Sequence, residues 1–280
     1  MRTLVSAVLA LLALVVAAGG LASAWIDEHL VEESGFVALA APLGSDPGFQ
    51  AALAESLAQE VTATSGLPEQ LQSFVGPVVL DAAGAVTGSS GYPAAWTETL
   101  RLSHAFTLAE APGPGEAAPA VLSLDLRPVA ELLADDIGGR LGVDVPVPGD
   151  TTIDVGSLER GGMLSGVADA VQGWRLYLAG AVVLGLLAVV VARRRGTTLA
   201  LLGLGLAGIG VLGLLAGDWV PGVAARAPGT SAIADVFLGG LAGRAGADIA
   251  ASSMPVVVVG VAALLLGVVG RFLLGPRRRA

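Results

Sequence analysis

The sequence predicts a membrane α-helical protein with about four transmembrane helices and a mainly α, α+β domain outside the cytoplasm. Three observations predict it. The chain is 54% hydrophobic with mean hydropathy +0.77, and its 40 glycines come on top of that fraction; soluble domains run about 45–50% apolar with glycine counted. Several uncharged runs exceed the roughly 18 apolar residues that read as a bilayer span. Acidic residues and arginines also fall into different segments of the chain.

The first span is read at residues 3–24, preceded by Arg2 and followed by Trp25. It has two readings. As an anchor it is long enough to cross, with Trp25 at the far interface. As a signal peptide it has a basic start, an apolar run and the triplet Ala22-Ser23-Ala24, which fits small-residue cleavage. The anchor is the expectation carried forward, and both readings send the next segment outward. The second span is read at 174–192 and the third at 198–220. The fourth is read at 255–274, where Arg271 is near enough to the end to snorkel. The organisation is then span 1 at 1–24, an acidic extracytoplasmic domain at 25–173, span 2 at 174–192 and a cytoplasmic arginine loop at 193–197. Span 3 at 198–220, an outer loop at 221–254, span 4 at 255–274 and a basic tail at 275–280 complete it.

Charge sets the orientation. Arg2, Arg193, Arg194, Arg195, Arg271, Arg277, Arg278 and Arg279 lie in the segments assigned to the cytoplasm, which contain no Asp or Glu. Positive charge in short loops near span ends fixes topology. The reading is a multi-pass protein of the plasma membrane with both termini in the cytoplasm.

Residues 25–173 hold 21 of the 24 acidic residues and only Arg101, Arg127, Arg140 and Arg160, a local net charge of −17. So acidic a surface argues against nucleic acid, which needs a basic footprint, and against lying flat on anionic lipid. It suits solubility outside the cell, or attraction for a cation or a basic partner.

Within this domain, Asp46 and Pro47 cap and open a helix whose apolar stripe is Phe49, Leu53, Leu57 and Val61. Gly66 and Pro68 end it. A second helical stretch runs from Glu69 to about Val86 with a kink at Pro77, and a third from Pro93 to about Ala109. Residues 111–119 form a Pro/Gly/Ala loop. Period-two alternation at Leu122, Leu124 and Leu126, and at Ile153 and Val155, reads as two short strands. Helical spacing between them over 128–137 suggests a small parallel pair. Gly161 and Gly162 break the chain before 163–173, which runs straight into span 2. The outer loop holds one short helix at 231–249, where Arg244 and Asp248 pair weakly.

Several segments resemble a known group. They are Phe36–Leu43 with Ser45-Asp46-Pro47 and Phe49-Gln50, then a helix with Trp96 and His104 eight residues apart. Val121–Leu126 with Pro128, a second short strand, and a span ending in Ala192-Arg193-Arg194-Arg195 follow. Over most of residues 1–216 this is similar to a family of uncharacterised integral membrane proteins of high-GC Gram-positive bacteria. The resemblance implies architecture and location and carries no activity. Leu100 stands where the family pattern often has asparagine, which implies an apolar rather than a polar helix face.

The motifs that carry chemistry are few. Two overlapping G-x-G-x-x-G matches, at Gly203–Gly208 and Gly208–Gly213, lie inside one apolar span without the strand and acidic residue a nucleotide site needs. Glycine here serves close helix approach in lipid. Gly203/Ala207, Gly213/Gly217, Ala181/Gly185 and Ala263/Gly267 have the four-residue spacing, for a bundle within one chain or for self-association. No cysteine is present, which excludes disulfides, thiolate nucleophiles and thiolate metal sites. His29 and His104 are the only histidines. Asp135, Asp136, Asp144, Asp150 and Asp154 cluster without calcium-loop spacing. Trp96, Leu100, His104 and Leu108 share one helix face, an apolar stripe that packs on Phe49, Leu53 and Leu57 or serves as an interaction surface.

No catalytic, cofactor or metal site is assigned and no enzyme is expected. The partners expected are the lipid bilayer and an envelope protein or wall component, with no nucleic acid and no nucleotide. The leading reading is a cell-envelope interaction or scaffold protein with an extracytoplasmic binding domain, tethered by its spans. The alternative is a component of a membrane transporter or channel, which usually carries polar groups inside the bilayer. A membrane-bound enzyme or sensor comes third.

Overall fold

The computed structural model describes residues 1–64, 77, 80–109, 120–141, 151–158, 161–226 and 231–273. Within these, the side chains of 57–64, 108–109, 120–122, 133, 136–138, 140–141, 156–158, 161–165 and 273 lie outside the description. The expected ends at Gly66 and Pro68, the loop at 111–119 and the tail with Arg277, Arg278 and Arg279 fall outside the described residues.

The elements are α1 (Arg2–Ile26), a π-helical turn Asp27–Val31, α2 (Glu33–Ala40), a 3-10 turn Ala41–Ser45, α3 (Pro47–Thr64), α4 (residues 80–87) and α5 (Tyr92–Ala109). Then follow β1 (Ala120–Asp125), α6 (Arg127–Leu141), β2 (Thr152–Leu158), α7 (Gly161–Val171), α8 (Trp174–Val191), α9 (Arg195–Ala224) and α10 (Ala232–Leu273). Two units form: residues 1–27, 169–220 and 245–280, and residues 28–168 with 221–244.

Four helices are long and apolar enough to cross a membrane, and they mark the chain as a helical membrane protein: α1 with the π-turn, α8, α9 and α10. In the first unit, α1 and α8 run antiparallel. Gly20 meets Tyr177 and Leu178, while Ser6 Oγ donates to Ala188 O at 2.9 Å. α9 and α10 are also antiparallel, with Gly196 against Gly267 and Gly217 against Gly246. α1 and α9 run the same way, since Ser6 lies by Thr198 and Leu14 by Gly205.

Small residues make the α9–α10 contact, and they recur every seven positions: Gly196, Gly203, Gly210 and Gly217 on α9, facing Gly246, Ser253, Gly260 and Gly267 on α10. A Cβ at Gly203 would stand 2.7 Å from Gly260 O, and one at Gly260 would stand 2.8 Å from Gly203 O. Such a pairing is backbone against backbone, and only glycine permits it. The buried Ser6, Ala13 and Gly20 of α1, and Ala181 and Ala188 of α8, keep the same period. Seven residues over two turns is the repeat of helices that cross at roughly +20°.

α9 and α10 correct the expected boundaries. The outer loop with one short helix is not observed; α10 is continuous from Ala232 through Pro255, and α9 continues through Pro221. A proline removes one helix hydrogen bond, which made both residues read as ends. The tight seam flanks each proline, with Gly217 on Gly246 and Ala250, and Gly210 on Val257 and Ser253, and it holds the helices together across the defect. Residues 232–244 of α10 belong to the second unit.

In that second unit, Asp46 Oδ1 accepts from Phe49 N at 3.0 Å and caps α3, as its sequence predicts. The core gathers Ala40, Leu43, Phe49, Leu53, Tyr92, Trp96, Leu100, Leu124 and Val155 with Ile233, Ala234 and Phe237 of α10. The expected parallel strand pair is corrected: β1 and β2 are antiparallel. Leu126 N donates to Thr151 O at 3.0 Å, so the excursion through α6 leaves and returns at the same end of the pair, as in a long hairpin. Leu122 pairs with Gly156 and Ser123 with Asp154, leaving Val155 as an inserted residue. This bulge re-aims a side chain, and Val155 is buried in the core.

α7 also departs from expectation. Gly161 and Gly162 open the helix rather than break the chain before it, and the interruption comes later, at Gln172 and Gly173. Gly173 sits at φ −77°, ψ 2°, off the helical value, so α7 does not run straight into α8.

Candidate functional site

The stripe on α5 is the first candidate. Trp96 and Leu100 have no exposed surface and His104 retains 8%. Phe49, Tyr92 and Phe237 surround the indole at centroid distances of 5.3, 6.3 and 6.0 Å. Its Nε1 donates to Ala40 O at 3.2 Å. Gly44 closes the last side; a Cβ there would stand 2.8 Å from Cγ of the ring. His104 Nε2 lies 3.0 Å from Leu30 O, and a carbonyl only accepts, so this nitrogen carries the hydrogen. Phe36 covers the imidazole at 5.1 Å. The side chain of Leu108 lies outside the described residues.

Neighbouring polar groups are engaged in holding elements together. Ser103 Oγ donates to Thr99 O at 2.7 Å and accepts from Asp125 N at 2.9 Å, which ties β1 to α5. Asp125 Oδ1 accepts from Arg127 N at 2.9 Å and from Thr151 Oγ at 3.2 Å, which fixes the start of α6 and the approach to β2. Ser103, His104 and Asp125 are close in the fold, yet the imidazole bonds Leu30 O rather than serine, so no nucleophile–base pair is assembled. Three buried hydroxyls of this unit, of Ser89, Tyr92 and Thr99, have no partner among the described residues. Burial pushes the Tyr92 hydroxyl far above its ordinary value of 10.0. On the exposed face of α5, a side-chain hydrogen bond with Arg101 holds Glu98 below the usual carboxylate range.

No protein-family model matches the chain, and no curated protein and no solved structure matches it.

Among the described residues no group of three or more His, Asp or Glu is placed to hold a metal. Of the aspartate cluster, Asp144 and Asp150 and the side chain of Asp136 lie outside the described residues. Asp135 is exposed and Asp154 accepts from Ser123 Oγ at 3.2 Å. His29 is half-buried on the π-turn.

The two ends of the four-helix unit differ in chemistry. One end gathers Arg2, Arg193, Arg194, Arg195 and Arg271, as follows from Ser6 against Ala188 and Thr198, and from Gly196 against Gly267 and Arg271. The other end carries tryptophan and aspartate. Trp25 Nε1 donates to Asp248 Oδ2 at 2.8 Å, and Trp174 Nε1 donates to Asp27 Oδ2 at 3.0 Å, with Arg175 4.9 Å over the Trp174 ring. Arg244, expected near Asp248, lies 4.0 Å from Asp46.

Trp25, expected as an interface anchor, also bonds a residue 223 positions away, a pairing that no local pattern signals. The seven-residue period of small residues is legible in the sequence beside the four-residue spacing. All four of the expected small-residue pairs do lie at helix contacts within the chain: Gly203 and Ala207 face α10, Gly213 faces Ser253, Gly185 touches Ala13 and Gly267 faces Ala200.

Proposed function

We propose that this chain is a plasma-membrane interaction or scaffold protein of the cell envelope, with its acidic unit displayed outside the cytoplasm and both termini inside. The observation that carries the reading is the polarity of the four-helix unit, with Arg2, Arg193, Arg194, Arg195 and Arg271 at one end and tryptophans and aspartates, with Arg175 alone among them, at the other. Arginine-rich ends face the cytoplasm, and tryptophan prefers the membrane interface. The tryptophan ends are also the ones from which the chain continues into residues 28–168 and 221–244. Kinship with the uncharacterised integral membrane proteins of high-GC Gram-positive bacteria belongs to the same proposal.

An interaction role is supported by what the acidic unit does with its polar groups. Ser103, His104 and Asp125 are engaged in packing, while Glu131, Asp135, Phe106 and the Glu98–Arg101 pair face solvent. Transport has less support, because the cleft inside the four-helix unit is lined by Ala, Leu, Val, Gly and Pro255, and a path for polar solutes needs polar groups. A photo-crosslinker at Phe106 or Asp135 in living cells tests the reading. One defined, salt-sensitive product with a basic envelope partner is expected. Solute flux through purified proteoliposomes, with no crosslinked product, would favour the transporter instead.

A further inference from the structure

Two cavities lie in the four-helix unit, one turn apart. The first, of about 460 Å3, is an apolar cleft among α1, α8, α9 and α10, bounded by Gly185, Val182, Leu202 and Ala263 among others. The second, of about 820 Å3, opens at the basic end and is lined by Arg193, Arg194, Arg195, Arg271, Thr197 and their neighbours. Gly185 and Val189, Leu202 and Leu199, and Ala263 and Leu266 are three or four residues apart. Each pair shares a helix face, with one member in each cavity. The apolar cleft therefore leads along three helices toward the arginines.

Among the described residues, no carboxylate lines the basic cavity. Residues 1–26, 170–217 and 249–280 contain no Asp or Glu. α9 begins there, and its first-turn N–H groups have no acceptor in their own helix, which favours an anion. Thr197 adds a buried hydroxyl oxygen with no partner among the described residues. A topology signal needs only the number of arginines. Their convergence on one cavity, with a helix start and an unpartnered buried hydroxyl, needs a ligand that accepts hydrogen bonds and carries negative charge.

From this we infer that the basic end binds one anionic phospholipid, its phosphate held by Arg193, Arg194, Arg195, Arg271 and Thr197 and one acyl chain lying in the apolar cleft. Arginine suits the task because its planar fork meets phosphate with two parallel hydrogen bonds. In a bilayer the chain is surrounded by apolar groups whether bound or free, so the headgroup provides the affinity and the cleft provides the fit. The inference goes beyond the envelope role and does not depend on what the acidic unit binds.

The test is lipid retention by the purified full-length protein in mild detergent, read by native mass spectrometry. Phosphatidylglycerol, phosphatidylcholine and inorganic phosphate are the probes. The variants are Arg271→Gln, Thr197→Val, Val182→Phe and the triple exchange of Arg193, Arg194 and Arg195 to Lys, which keeps the topological charge. Preferential retention of phosphatidylglycerol is expected, weakened by about fivefold for the lost arginine charge. Thr197→Val, the lysine exchange and Val182→Phe, which fills the cleft from its mouth, are also expected to weaken it. Inorganic phosphate in excess should not displace the lipid. Equal retention of the two lipids, or retention unchanged in all variants, overturns the inference. So does displacement by phosphate together with no effect of Val182→Phe, which marks a free-anion site. Should Arg271→Gln fail to fold, Thr197→Val and the lysine exchange read the same cavity.

Discussion

Trp96 sits at the centre of the acidic unit's core. It is fully buried, packs among three aromatic rings and donates to Ala40 O. Truncating such a side chain typically costs roughly 3–5 kcal/mol, a large share of the roughly 5–15 kcal/mol that holds a domain folded. Thermal melting of the full chain in detergent should show Trp96→Ala losing the transition of the acidic unit, with His104→Gln much milder. A Trp96→Ala protein that melts like the parent contradicts the packing described. Tyr92 gives a separate test through pH. Its hydroxyl is buried and unpartnered among the described residues, and burial raises its pKa above the ordinary 10.0. Above pH 10 the unfolded chain releases this proton while the folded chain keeps it. The stability is therefore complete below that pH and lost as pH rises beyond it. Tyr92→Phe should leave stability unchanged or raise it by about 1 kcal/mol, because an unsatisfied buried group is removed. It should also flatten the alkaline loss measured by denaturant titration between neutral pH and pH 11. An unchanged alkaline slope in Tyr92→Phe would contradict this account.

The elements were legible where their signals are local. Asp46-Pro47 marks the start of α3, Pro93 falls within one residue of the start of α5, and the apolar runs mark α1, α8 and the middle of α9. Elements held by distant partners were not legible. The strand direction depends on where the chain returns after α6, and the bond between Leu126 and Thr151 that decides it leaves no trace in periodicity. The continuity of α10 through Pro255 depends on the glycine seam with α9. That seam predicts a contrast between two glycines of one helix. A Cβ at Gly203 would meet the backbone of α10, while one at Gly208 would meet nothing within 4 Å. Gly203→Ala should destabilise the four-helix unit by about 1–3 kcal/mol, the usual cost of overpacking. Gly208→Ala should be neutral or gain up to about 1 kcal/mol from helix propensity. Equal melting of the two variants in detergent would show that the seam does not hold the helices.

For the whole molecule, the sequence revealed the membrane class through composition, but it divided the chain differently from the fold. Residues 25–173 read as one acidic domain, yet Ile233, Ala234 and Phe237 complete its core. A fragment ending at 173 should therefore fold poorly, while the full chain keeps the unit intact; near-ultraviolet circular dichroism compares the two. The candidate stripe was legible as a helix face, and its burial was not, because burial depends on α3 and α10 closing over it. The central proposal is that the arginine cluster at one end of the four helices and the tryptophans at the other set a single orientation, with the acidic unit outside. The most direct test attaches a reporter active only in the cytoplasm after Ala280 and, in a second protein, at Pro114. Activity after Ala280 with silence at Pro114 is the predicted result; activity at Pro114 with silence after Ala280 would contradict it.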